Sequence, residues 1–117
     1  MTGRNRERLP NRRAALTTRI QHGPHTFHVS YGLFPDGRLA EVFLAGAKVG
    51  SDTRIVALEA SVAISFALQH GAGVGEMRLA MPRREDGSPE GVMGAILDGW
   101  ERIAGDVIVV AREEARC

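Results

Sequence analysis

The residues best suited to chemistry in this chain are Lys48, Gly50, Ser51 and Asp52, which stand where an extended segment gives way to a long apolar helix. Free N–H groups and the helix dipole make such an entrance attractive to an anion, and Lys48 adds a positive charge. A nucleotide phosphate fits that logic, with Lys48, Gly50 and Ser51 as its ligands. The plainer reading is that Gly50 permits the turn while Ser51 or Asp52 caps the helix, and Asp52 itself opposes an anion. The spacing is not that of a phosphate loop, because the Gly-rich run and its terminal Lys-Ser/Thr pair are missing. Arg83 and Arg84, in the polar run Pro82-Arg-Arg-Glu-Asp-Gly87, are the second candidate pair for an anionic ligand.

Other candidates carry less chemistry. His22, His25 and His28 recur every three residues, but on a strand positions three apart face opposite ways, so their imidazoles do not converge on a metal. His70 ends the apolar helix and suits its dipole. The sole cysteine, Cys117, is the last residue, which excludes an intrachain disulfide and a cysteine-built metal cluster within these 117 residues. Ser30, Ser51, Ser61, Ser65 and Ser88 show no motif-level pairing with a histidine, so no catalytic residue, metal or cofactor is expected.

The net charge of +1 conceals an asymmetry. Residues 1–13 hold Arg4, Arg6, Arg8, Arg12 and Arg13 against Glu7 alone, a local +4 on a body of −3. One reading is a solvated terminus. The other is an arm that pairs with nucleic acid or an acidic partner, although no aromatic residue interleaves the arginines to stack on bases.

The elements that position these groups follow from periodicity. Leu16–Ile20 reads as extended and Gly23-Pro24 as a turn. His25–Leu33 alternates, with Phe27, Val29 and Tyr31 on one face. Pro35-Asp36-Gly37 supplies hairpin chemistry, and Arg38–Ala45 returns as a strand. From Asp52 to His70 apolar residues wrap most of a helix, leaving Ser61, Ser65 and Gln69 as a narrow polar stripe. A helix this apolar is buried on more than one side, which predicts a homodimer or another subunit against it. A short helix follows from Val74 to Met81, and Gly71 ends the one before it. Ser88-Pro89 reads as N-cap and N1 of a final helix that runs to about Ala104 and stops at Gly105. The β-branched run in residues 106–111 favours a strand. The fold class is thus α+β: a small antiparallel meander of two to three strands packed against two to three helices.

The ordered run Tyr31-Gly-Leu-Phe-Pro-Asp-Gly-Arg38, Glu41-Val-Phe-Leu-Ala-Gly-Ala-Lys-Val-Gly-Ser-Asp52 and the apolar helix Thr53–His70 resembles the TSCPD domain over residues 24–98. That domain is the C-terminal appendage of cobalamin-dependent ribonucleotide reductases and also occurs in short free-standing proteins. The charge pattern sets off a basic arm over residues 1–14, the resemblance implies a TSCPD-like domain over 15–105, and residues 106–117 form an extension beyond it. It implies an accessory or binding role in deoxyribonucleotide synthesis, with a ribonucleotide reductase as partner and no catalysis by this chain alone. The namesake motif departs here: Asp86-Gly-Ser-Pro-Glu-Gly91 keeps Ser88 and Pro89 without the cysteine between them, so no redox or zinc role carries over. Without a signal-like or membrane-spanning run, a cytoplasmic location with no membrane contact is expected.

Overall fold

The computed structural model describes residues 6–46 and 51–115, with side chains as far as residue 104. Three strands form one antiparallel sheet in the order β1-β2-β3: β1 (Ala15–His22), β2 (His25–Leu33) and β3 (Leu39–Gly46). Gly23, at φ 59°, and Pro24 close the first hairpin directly on the His22–His25 pair. Gly37, at φ 91°, ends the second turn, where its N–H bonds the Phe34 carbonyl. Asp36 holds that turn by accepting from the Arg38 N–H at 3.1 Å and from its guanidinium. The turn chemistry legible in Pro35-Asp36-Gly37 is therefore what folds the chain back.

Phe27, Val29 and Tyr31 face the core as their alternation predicts, joined by Ile20 from β1 and Val42 from β3. Three helices cover this sheet: α1 (Asp52–Gln69), α2 (Val74–Ala80) and α3 (Val92–Ala115). Ala57, Ile64 and Leu68 of α1 meet Ile96, Leu97 and Trp100 of α3 over the strands. The Tyr31 hydroxyl crosses this apolar layer to donate to the Ile96 carbonyl at 2.6 Å, and burial pushes its pKa up to about 12. Gly99 makes the close approach of α3 feasible, since a Cβ there would stand 2.7 Å from Ile20 Cδ1 and 2.8 Å from the Tyr31 hydroxyl.

The predicted α+β architecture is present, with three strands and three helices among the described residues. Two expectations about the last helix are corrected. Ser88 does not cap it: the Ser88 hydroxyl donates to Asp86, and Pro89 is bridged antiparallel to Arg83. This small hairpin delays α3 to Val92, whose first turn closes on the Gly91 carbonyl. Residues 106–111 are helix, not strand, because α3 runs on through Gly105 to Ala115. A single interior glycine costs a helix only about 1 kcal/mol. Once three turns exist, adding β-branched residues needs no new nucleus, so their strand preference does not prevail. Among the described residues, no helix is long and apolar enough to cross a membrane.

Candidate functional site

At the start of α1, Ser51 is the N-cap, its hydroxyl accepting from the Arg54 N–H at 3.2 Å. Lys48 and Gly50 lie outside the described residues, so the anion reading of that turn rests on sequence alone. Beside this cap, a groove of about 470 Å³ runs between the first turns of α1 and the start of α3. Asp52, Thr53 and Val56 form one wall, Val92 and Met93 the other, and Met81 and Pro82 the end. Its lining is apolar apart from Asp52 and Thr53, which suits a hydrophobic side chain better than a phosphate.

Arg83 and Arg84, equivalent in the sequence, have opposite roles. Arg83 forks onto Asp98, its two terminal nitrogens donating at 2.9 and 2.7 Å, and also donates to the Arg78 and Gly87 carbonyls at 3.1 Å. Arg78 Nε adds a third bond to the same carboxylate at 2.8 Å. The Asp98 pKa is accordingly held below the ordinary carboxylate value, chiefly by the Arg83 hydrogen bonds, and that of Arg83 is raised. Arg83 thus ties the 82–90 hairpin to α2 and α3. Arg84 stays exposed and lines a polar cleft of about 340 Å³ together with Arg19, His22 and Arg102.

The described part of the arm lies against the body. The Arg6 guanidinium sits 4.4 Å over the Phe66 ring and donates to the Gln69 side chain. The Glu7 N–H bonds the Gln69 carbonyl at 2.7 Å, and the Arg38 guanidinium reaches the Glu7 carboxylate at 3.1 Å. Arg13 pairs with Glu41, which lies across Gly32, where a Cβ would collide with the Glu41 side chain. Arg8 and Arg12 are exposed, and Arg4 lies outside the described residues.

The histidines play separate parts. His22 Nε2 donates to the Glu90 carbonyl at 3.0 Å, and His70 Nδ1 donates to the Phe66 carbonyl at 2.8 Å, closing the last turn of α1. Among the described residues, no group of three or more His, Cys, Asp or Glu residues is placed to hold a metal ion. Sequence reasoning missed Arg19 and Arg102, because only the packing of α3 on β1 brings these distant arginines to one cleft.

Comparison with known proteins relates this chain to one kind of enzyme. A 73-residue stretch, 62% of the chain, is 38% identical to the vitamin B12-dependent ribonucleotide reductase of Agrobacterium fabrum. The corresponding enzyme of Rhodopirellula baltica is 39% identical over 66 residues, 56% of the chain. That of Bradyrhizobium diazoefficiens is 34% identical over 73 residues, again 62% of the chain. In each case the match spans only 6% of the relative's length. No family model matches the chain, and no solved structure matches it.

Proposed function

We propose that this chain is a non-catalytic accessory or binding module, related to the TSCPD domain of B12-dependent ribonucleotide reductases and serving deoxyribonucleotide synthesis. The observation that carries this reading is the 38% identity over 73 residues to a small part of one such reductase. A match to 6% of an enzyme supports kinship with one of its domains and does not bring its catalytic apparatus with it. The ion pairs and caps described above also have structural roles that need no substrate.

The contact with a reductase falls on the outer face of α1. Val62 and Phe66 are 58% and 46% exposed there, beside Phe43 of β3 at 55%. Three large apolar side chains this open on one face favour a macromolecular partner. An affinity pull-down from lysate of the source organism tests the reading, using the full chain and a form lacking residues 1–13. Recovery of a B12-dependent reductase by both forms is expected, with its loss in Val62→Asp. Recovery by neither form would sink the proposal, and nucleic acid recovered only with the arm intact would replace it with binding through Arg4 to Arg13. Sedimentation of the purified protein reports whether the same face serves a homodimer.

A further inference from the structure

The cleft between β1 and α3 has the composition of a binding site that neither the capping network nor the apolar face requires. Its floor is the outer edge of β1. The two-residue hairpin makes His22–His25 a hydrogen-bonded pair, so the backbone groups of Arg19 and Gln21 alternate to the side away from β2. The Leu33 N–H bonding the Ala14 carbonyl fits the same alternation. The walls are Ala95, Asp98 and Arg102 of α3, with Arg84 and Pro89 from the 82–90 hairpin.

Charge in this cleft is unbalanced. Asp98 is the only acid among its described lining residues, and Arg83 and Arg78 occupy both its oxygens. Arg19, Arg84 and Arg102 form no ion pair among the described residues. Asp86 of the hairpin feels the Arg84 charge, but its carboxylate is engaged by the Ser88 N–H and hydroxyl. Arg102 folds back over Gly99, its Nη2 3.7 Å from where a Cβ would stand, which brings its charge beside Tyr31. Arg19, Arg84 and Arg102 line one polar cavity, and an anion bound there would offset the repulsion between like charges. Their planar forks match phosphate oxygens in pairs. A volume of about 340 Å³ accommodates a ligand of mononucleotide size or smaller.

We propose that the β1–α3 cleft binds a small phosphorylated anion through Arg19, Arg84 and Arg102. The proposal deepens the reading as a binding module by naming a ligand class. Its test involves no reductase, so either claim can fail while the other stands.

Titration calorimetry of the full chain with inorganic pyrophosphate at low ionic strength decides it. Saturable binding is expected, weakened about tenfold or more by Arg19→Gln and by Arg102→Gln, each the loss of a charged contact. Arg38→Gln serves as the control, because Arg38 is paired with Asp36 and Glu7 in a different part of the surface. All three positions are exposed, and thermal melts verify that the variants fold. Absence of saturable heat, or an equal loss in the Arg38 control, overturns the proposal. So does tighter binding of single-stranded oligothymidylate with increasing length, which would make the cleft part of a track for a nucleic-acid backbone.

Discussion

The two edges of the three-stranded sheet are finished in different ways. Along β3, the polar stripe of α1 bonds directly to the outer backbone: Ser65 accepts from the Val42 N–H at 2.9 Å, and Gln69 donates to the Ala40 carbonyl at 3.1 Å. The Ser65 hydroxyl also reaches the Val42 carbonyl, so one helix supplies what a fourth strand would. Along β1, the outward groups of Arg19 and Gln21 open into a cleft lined by arginine. A small sheet has to cover or charge an edge to keep other strands from pairing with it. One charged side chain is enough for that purpose, and three arginines leave two unexplained by it. The sealed edge serves stability, and the open edge is where a ligand finds room.

The sharpest way to break this contrast is to remove the seal. Ser65→Val combined with Gln69→Leu leaves the Ala40 carbonyl and the Val42 N–H buried without partners, and Arg6 loses its acceptor. Each orphaned group costs about 1–3 kcal/mol, so a combined loss of about 2–6 kcal/mol is expected from urea denaturation midpoints. A loss below about 1 kcal/mol would mean that water reaches this edge as well.

A smaller effect is expected on the wall of the open edge. Asp98→Asn removes the charge that gathers Arg83 and Arg78, at about 1–3 kcal/mol near neutral pH. The folded pKa of Asp98 lies below its ordinary 3.8, chiefly through the Arg83 hydrogen bonds. The carboxylate therefore contributes its full stability above that ordinary value and loses it as pH falls through the folded pKa. Denaturation curves of the two proteins should converge in acid. A gap that persists there would assign the effect to packing instead of charge.

How far each edge was legible in the sequence follows from the range of the signals involved. The strands, their turns and α1 are written locally, in the alternation of Phe27, Val29 and Tyr31, in Pro35-Asp36-Gly37 and in the Ser51 cap. The stripe of Ser61, Ser65 and Gln69 was visible as a periodicity, but its purpose depends on β3 being an edge, which only strand order reveals. Arg83 and Arg84 are neighbours of one type, and only the fold gives Asp98 to one and leaves the other facing the cleft. The C-terminal run misled because its β-branched residues continue a helix nucleated far upstream. Arg19, Arg84 and Arg102 come from a strand, a hairpin and a helix, and no spacing links them.

The smallest expected effect tests the open edge most directly. Proline lacks an N–H, and a strand tolerates it only where that N–H faces away from the ladder. Arg19 sits at such a position in the register of the first hairpin. Arg19→Pro should therefore cost under about 1 kcal/mol, whereas a position bonded to the ladder would lose about 3 kcal/mol or more. Amide exchange in the unmodified protein gives the same information without a substitution. The Arg19 and Gln21 amides should exchange readily, while that of Val42, also outside the β2 ladder, is protected by the Ser65 hydroxyl. If Arg19 proved as slow as Val42, or its proline variant failed to fold, the β1 edge would have a partner of its own. The cleft would then lose its backbone donors and would keep only its arginines to hold an anion.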